Sequence, residues 1–332
     1  MENYIESIME LENGFFIILT INSNLVIYDN YLAKKFKIEI EGIKEPILII
    51  YEKYRNDNKY KIVVSSKNES SEVSLHLDRN YSLENNNYEK SNNYLMHIFA
   101  KFDKIKNVLI INDEILVLIT NIKDKDSEDK LIMYNKRSKN IIKEFQGYHF
   151  IDTKTSLVLI IIEDAKINKN KILLFCCCNK YNNKVKNGIL ILNPPTNSHE
   201  EIKESFYETG DFEVYCICQL LNVNNKKNIL INDNKKTIKI TLFFLVGGFD
   251  KNNKKGIIKL YKLINNDEID KDKDKEAIIF IQDIEFVNDK FEKPINCLIQ
   301  SKTNGKVYFS CSDRIYSFAP PINEFYINNI NT

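Results

Sequence analysis

The chain has 332 residues, of which 43% are hydrophobic and 28% charged, so it has enough apolar material for a core and wholesale disorder is excluded. Lysine and arginine number 47 against 46 aspartates and glutamates, which leaves no overall positive field to attract a nucleic acid. The N-terminal segment is acidic where a signal peptide is basic, and every apolar run is far shorter than the roughly 18 residues of a membrane span. We therefore predict an intracellular, cytoplasmic protein without a membrane span.

Short apolar runs separated by clusters of Asn, Asp, Lys and Gly follow one another along the whole chain, a pattern typical of strands. Taken in order, the runs fit a unit of four strands that can be laid along the sequence six times. The first unit reads YIESIMEL, GFFIILTI, NLVIYD and KKFKIEI. The predicted units span roughly 3–40, 46–103, 107–147, 156–208, 213–286 and 294–328. The last strand of the sixth unit is placed around 324–327.

The third strand of each unit carries a recurring Tyr or Leu, here called its anchor. The anchors are spaced at unequal intervals, and polar insertions account for the differences, because loop-closure entropy grows slowly with length. The anchors are Tyr28, Leu77, Tyr134, Leu192, Tyr261 and Tyr316. The predicted insertions span 84–93, 123–130, 222–239 and 265–276.

A repeated four-stranded unit predicts an all-β chain folded as a β-propeller, because a ring of such blades buries the faces that a single blade exposes. Burial on both faces also explains why runs such as LVLIII, KILLFCCC and TLFFLVGGF lack alternation. We predict one domain over 1–332 with six recognisable blades and leave room for a seventh. How the ring would close is left open, as is the oligomeric state.

Two segments carry a likeness to a known family. LVGGFDKNNKKGIIKLYKL (245–263) and FSCSDRIYSF (309–318) resemble the second strand, turn and third strand of WD40 repeats. An aspartate occupies each turn and a tyrosine stands where the family usually has tryptophan: Asp250 with Tyr261, and Asp313 with Tyr316. The likeness extends to single letters over 213–318 and to the pattern elsewhere. The Trp-Asp and Gly-His dipeptides of the family are absent, so its hydrogen-bonded tetrad is not carried over.

These residues receive structural roles in this interpretation. Gly247 and Gly248 would end a second strand where neighbouring backbone approaches closely. Asp250 would organise the following turn by accepting hydrogen bonds from nearby backbone, with Asp313 in the corresponding turn. Tyr261 would supply the packing usually given by tryptophan, and Tyr316 would do so in the next unit.

The reactive side chains do not form a recognisable catalytic or metal-binding motif. Cys176, Cys177 and Cys178 are consecutive, so on a strand they point to alternating faces, and packing as small apolar side chains is favoured over metal binding. The segment 267–277 alternates acids without the glycine and final glutamate of a calcium loop. The four histidines, His76, His97, His149 and His199, fall at unrelated positions. We predict no catalytic residue, no cofactor and no metal.

The WD40 likeness implies a non-enzymatic scaffold or docking module that binds other proteins through its rims and loops. One alternative is a propeller enzyme or small-ligand sensor with a central polar site, for which the loop residues Asp113, Glu114, Asp152 and Asp233 are candidates. Another alternative is an incomplete propeller that a partner chain completes.

Overall fold

The computed structural model describes most of residues 5–39, 48–89, 102–149, 157–220 and 228–320, with gaps inside these ranges. All regular secondary structure in the described ranges is β-strand, which confirms the predicted all-β class. None of the described residues belongs to a helix that could cross a bilayer.

The strands fall into six groups along the chain. The first three groups are β1 (Ile5–Glu10), β2 (Phe16–Thr20), β3 (Asn24–Tyr28) and β4 (Lys34–Glu39); β5 (Leu48–Lys53), β6 (Lys59–Ser65), β7 (Ser70–Leu77) and β8 (Leu83–Glu89); and β9 (Phe102–Ile110), β10 (Ile115–Ile122), β11 (Lys130–Asn135) and β12 (Asn140–Phe145). The last three are β13 (Tyr148–His149), β14 (Leu157–Ile162), β15 (Asn170–Tyr181), β16 (Lys184–Asn193) and β17 (Lys203–Gly210); β18 (Phe212–Gln219), β19 (Asn228–Asn232), β20 (Lys235–Asp250), β21 (Lys255–Asn265) and β22 (Ala277–Ile284); and β23 (Ile295–Gln300), β24 (Val307–Cys311) and β25 (Arg314–Phe318).

Each group forms one antiparallel sheet, so the described residues form six sheets. Apart from the short β13 and β19, strands adjacent in sequence lie side by side. The fourth sheet gains the short β13 beside β15, and the fifth gains β19 beside the first part of β20. The sixth sheet has three described strands, in the order β23, β24, β25. Sheets of four strands in simple up-and-down order are the blades of β-propellers, which confirms the predicted blade construction.

The central strands whose side chains are described are mostly buried on both faces. Every residue of β2 and of β24 is buried, as are the residues 115–120 of β10. Outer strands differ, because β12 alternates between exposed and covered positions. This contrast explains the sequence pattern, since a strand covered on both faces has no reason to alternate polar and apolar residues.

Three of the third strands share a feature at their anchors. The register between third and fourth strand shifts next to Tyr28, Tyr134 and Tyr261. At each shift one residue of the fourth strand is left without a counterpart, and the extra residue bends that strand locally. All six predicted anchors lie on the third strand of their sheet.

The chain divides into two compact units. The first comprises 1–11, 15–155 and 178–185, and contains the first three sheets. The second comprises 12–14, 156–177 and 186–332. Within the second unit the sheets pack face to face: one apolar cluster joins the fourth and fifth sheets through residues such as Leu174, Ile189 and Phe244. A second cluster joins the fifth and sixth sheets through Leu245, Ile295 and Phe309.

Two of the predicted insertions contain strands. The segment 84–93 overlaps β8, and 222–239 contains β19 and the start of β20. The sequence LENNNYE of β8 has few residues that favour strands, but its pairing with β7 overrides this weak local preference. The residues 123–129, 266–276 and 321–332, including the last predicted strand, lie outside the described residues. A single domain over 1–332 stays a prediction.

Candidate functional site

The turn between β20 and β21 is organised by Asp250. Its Oδ1 accepts hydrogen bonds from the backbone N–H of Asn252 at 2.9 Å and of Asn253 at 3.1 Å, and its Oδ2 accepts one from the Asn253 side chain at 2.8 Å. Burial alone would raise the pKa of Asp250, but these hydrogen bonds outweigh it, so the pKa lies below its ordinary value. The carboxylate therefore serves the turn itself, as in an Asx turn.

Gly247 and Gly248 lie inside β20, which continues to Asp250, rather than at its end. A Cβ on Gly247 would come within 2.7 Å of the sulfur of Cys216 and 2.8 Å of Ile295 Cγ2. A Cβ on Gly248 would collide with the carbonyl oxygen of Glu213. Both positions therefore permit close approach of neighbouring strands and leave no room for a ligand.

Tyr261 and Tyr316 occupy equivalent positions on the third strands of the fifth and sixth sheets. Tyr261 pairs across the strands with Phe244 and stacks on it, with ring centroids 5.6 Å apart. Tyr316 pairs with Phe309 in the same way at 5.2 Å. Burial raises the pKa of Tyr261 well above its ordinary value, and the neighbouring Tyr207 and Asp283 raise it further. Both tyrosines thus pack on a neighbouring ring, and the phenol of Tyr261, which is hard to ionise, is a poor general base.

Asp313 lies on the turn between β24 and β25 and is exposed. The residue before it, Ser312, has a φ of 60°, in the left-handed region that tight turns use. The turn is shorter than the one at Asp250. Its aspartate lies near the buried thiol of Cys311, whose pKa burial raises. Asp313 and Asp250 belong to turns of different sheets, and no contact joins them among the described residues.

Six of the seven cysteines are described with their side chains, and all six are buried and form no disulfide: Cys176, Cys177, Cys216, Cys218, Cys297 and Cys311. Burial raises the pKa of Cys216 well above its ordinary value, and the neighbouring thiols of Cys297 and Cys176 add to the effect. Burial also raises the pKa of Cys218 to about 12. Such thiols carry almost no thiolate near neutral pH, so they are weak nucleophiles and weak metal ligands.

Among the described side chains, no group of three or more His, Cys, Asp or Glu residues is arranged to hold a metal ion. The loop residues named for the alternative of a central polar site, Asp113, Glu114, Asp152 and Asp233, lie outside the described residues. His97 and His199 also lie outside them, and only the backbone of His76 and His149 is described.

An exposed tyrosine stands on the turn between β3 and β4. Tyr31 is 85% exposed. The buried Asp29 holds the turn, because its Oδ1 accepts hydrogen bonds from the backbone N–H of Tyr31 at 2.9 Å and of Ala33 at 2.8 Å. Backbone bonds from Asp29 to Ala33 and from Leu32 to Asp29, both at 3.0 Å, close it further. An aromatic ring is therefore presented to solvent on a turn with defined geometry.

A second exposed apolar feature lies on β22, the last strand of the fifth sheet. Ile279 is 38% exposed and Phe280 is 44% exposed. The ring of Phe280 rests against that of Tyr261, with centroids 5.6 Å apart. The ammonium of Lys259 lies 5.3 Å from the centre of the same ring.

Neither Tyr31 nor Phe280 is among the residues that the sequence predicts as a site. The signal for Tyr31 was an aspartate two residues before an aromatic, between two strands, which favours an Asx turn that displays the ring. The signal for Phe280 was an outer strand, AIIFIQDI, with a single charged residue.

The described residues thus define an all-β protein of propeller blades. No family model matches this chain, and no curated protein sequence matches it. Solved structures similar to it include the WD40 repeats of RRP9, at 6% identity and a TM-score of 0.43, covering 95% of this chain and 89% of that one. They also include BBS1N in complex with ARL6DN in a mercury-soaked crystal, at 8% identity and a TM-score of 0.42, covering 97% and 94%.

At these TM-scores the likenesses carry no argument about family or function. The blade construction of this chain is established by its own strand order and register.

Proposed function

We propose that this chain is a non-enzymatic docking module that binds other proteins. The observation that carries the proposal is Tyr31, an aromatic side chain that is 85% exposed on a turn closed by hydrogen bonds. Tyrosine is enriched among the residues that dominate binding energies at protein interfaces, since its ring offers a large contact area and its hydroxyl a polar contact. A turn that is already ordered loses little entropy when it binds.

The near balance of 47 basic and 46 acidic residues supports a protein partner over a nucleic acid, whose binding depends on phosphate neutralisation by clustered cations. An intracellular, cytoplasmic location belongs to the same proposal. It is supported by the six described cysteines, which are buried and form no disulfide, because a reducing compartment prevents disulfide formation.

The test is affinity capture from native lysate with the wild-type chain and with Tyr31→Ala. We expect the wild type to retain stoichiometric protein partners and Tyr31→Ala to retain about tenfold less, as expected for the loss of an interface residue worth at least 1.4 kcal/mol. Arg137→Ala is the matched control. Arg137 follows Asn135 in the turn between β11 and β12, and the Asn135 Oδ1 accepts its backbone N–H at 2.9 Å, as Asp29 does for Tyr31.

If the wild type and Tyr31→Ala captured equal amounts of partner protein, Tyr31 would not be the residue that contacts the partner. A wild-type chain that retains no protein, together with a small molecule bound in native mass spectrometry, would overturn the docking proposal in favour of a ligand sensor or enzyme.

A further inference from the structure

Leu32, the residue after the exposed Tyr31, has a backbone conformation that leucine rarely adopts. Its φ is 61°, in the left-handed region that glycine and asparagine tolerate best. Three other non-glycine residues among those described share this conformation, Lys139, Lys254 and Ser312, and their polar side chains suit a solvated turn. Leu32 is the single apolar member of the four. A residue held in an unfavourable conformation indicates a function that requires its side chain.

The turn that carries Leu32 also differs from the other three in charge. Lys139, Lys254 and Asp313 expose a charged side chain on each of the other turns. In residues 29–33 the single charged residue is Asp29, which is buried and accepts hydrogen bonds from the turn itself. The tip of this turn, residues 31–33, is therefore uncharged.

The backbone holds Tyr31 and Leu32 in one arrangement. The N–H of Leu32 donates to the carbonyl oxygen of Asp29 at 3.0 Å, and the N–H of Tyr31 donates to its Oδ1 at 2.9 Å. Tyr31 is 85% exposed and Leu32 is half-buried, so both side chains offer apolar surface to the solvent. Two neighbouring apolar side chains on an ordered turn can enter a pocket with little loss of conformational entropy.

Positive charge follows the tip directly. β4 begins at Lys34 with the sequence KKFKIE, which has three lysines and one glutamate, and Lys37 is exposed. Protein interfaces commonly have an apolar centre and a polar rim, and the charges of the two rims complement each other. A partner that covers the tip would thus meet an apolar centre with lysines beside it.

We propose that Tyr31 and Leu32 together enter an apolar pocket of a partner protein whose rim carries carboxylates. This inference rests on the docking function proposed above and names the surface that the docking residues recognise. An uncharged tip enters an apolar pocket without the desolvation of a charge, and the residues that dominate binding energies lie in such well-packed pockets. Binding also explains why leucine occupies a position where asparagine would be less strained.

The test uses the protein that the wild type captures from native lysate, identified, purified and titrated against each variant by isothermal titration calorimetry. We expect Leu32→Asn to raise the dissociation constant about fivefold and Tyr31→Ala about tenfold. The heat capacity change of binding should be negative for the wild type and less negative for Leu32→Asn, because less apolar surface is buried. Lys139→Asn is the matched control, since Lys139 is exposed on a turn with a φ of 57°. It should bind like the wild type.

Two further variants separate the side chain of Leu32 from the conformation of the turn. Leu32→Gly removes the side chain while glycine accepts a positive φ, so it should weaken binding as much as Leu32→Asn. Leu32→Met keeps an apolar side chain and should bind like the wild type. Lys37→Glu should weaken binding about threefold at low salt, and the difference should vanish at high salt because salt screens rim charges.

The outcomes distinguish this inference from the docking function. Weakened binding by Tyr31→Ala with unchanged binding by Leu32→Asn and Leu32→Gly would overturn the role of Leu32 and leave the docking function in place. A wild-type heat capacity change near zero would overturn the apolar pocket. Equal binding by Lys37→Glu and the wild type at low salt would overturn the acidic rim. A wild-type chain that captures no protein would overturn the docking function and this inference with it.

Discussion

The fifth and sixth sheets place the same aromatic pair at the same position but bury it to different depths. Tyr261 on Phe244 is 3% exposed, whereas Tyr316 on Phe309 is half-buried. The difference lies in what covers the third strand: β22 pairs with β21 and Phe280 packs on Tyr261, while β25 pairs with β24 alone among the described strands. In the fifth and sixth sheets the deeper anchor is therefore the one that an outer strand covers.

Gly248→Ala should cause the largest change, because it forces apart two strands of the fifth sheet. The new Cβ would meet the Glu213 carbonyl oxygen, and a backbone atom cannot move aside as a side chain can. We expect the free energy of unfolding to fall by more than about 3 kcal/mol, measured by urea denaturation.

Gly305→Ala in the sixth sheet is the control for this substitution. No atom lies within 4 Å of its added Cβ, and only its φ of +72° opposes the change. We expect a loss of about 1 kcal/mol. Equal losses at the two glycines would show that close strand approach at Gly248 is not what requires glycine there.

Tyr261→Ala and Tyr316→Ala compare the two anchors directly. Removing the fully covered ring should cost about 3–4 kcal/mol of unfolding free energy, and removing the half-buried ring about half as much, because less apolar surface is lost from the interior. Thermal and urea denaturation of both variants measures the difference. If Tyr316→Ala were as costly as Tyr261→Ala, the outer strand would not be what sets the contribution of the anchor.

At alkaline pH the free energy of unfolding should depend on the ionisation of Cys218, which lies on the first strand of the fifth sheet. Burial raises the pKa of this thiol from 9.0 to about 12 in the folded protein. As the pH rises above 9, the Cys218 thiol therefore loses its proton in the unfolded chain but keeps it in the folded chain. The folded state is therefore destabilised as the pH rises, by about 2 kcal/mol from this group between about pH 9 and pH 11.

Cys218→Ala removes this contribution, so the stability of the variant should fall less steeply with pH than that of the wild type. Urea denaturation at several pH values measures both slopes, and the difference between them isolates Cys218 from the other buried thiols and from Tyr261. Parallel slopes would show that the Cys218 thiol ionises equally in both states.

The sequence determined the local part of this structure. Runs such as KILLFCCC and TLFFLVGGF lack alternation, which predicts strands covered on both faces, and their residues 174–177 and 244–248 are buried. The third-strand anchors could be located because an apolar run that ends on an aromatic residue recurs along the chain. The Asp250 turn was also readable, since an aspartate followed by asparagines between two apolar runs supplies both acceptor and donors for a closed turn.

Tertiary structure decided the features that depend on pairing. LENNNYE and the start of β20 look like insertions by composition, and they form strands because a neighbouring strand satisfies their backbone groups. The exposure of Tyr31 depends on the turn that Asp29 closes. The exposure of Ile279 and Phe280 depends on β22 being the outermost described strand of its sheet. Which backbone groups pair across strands, and which strand is left at the edge, are properties of contacts between distant parts of the chain, so local residue patterns alone do not specify them.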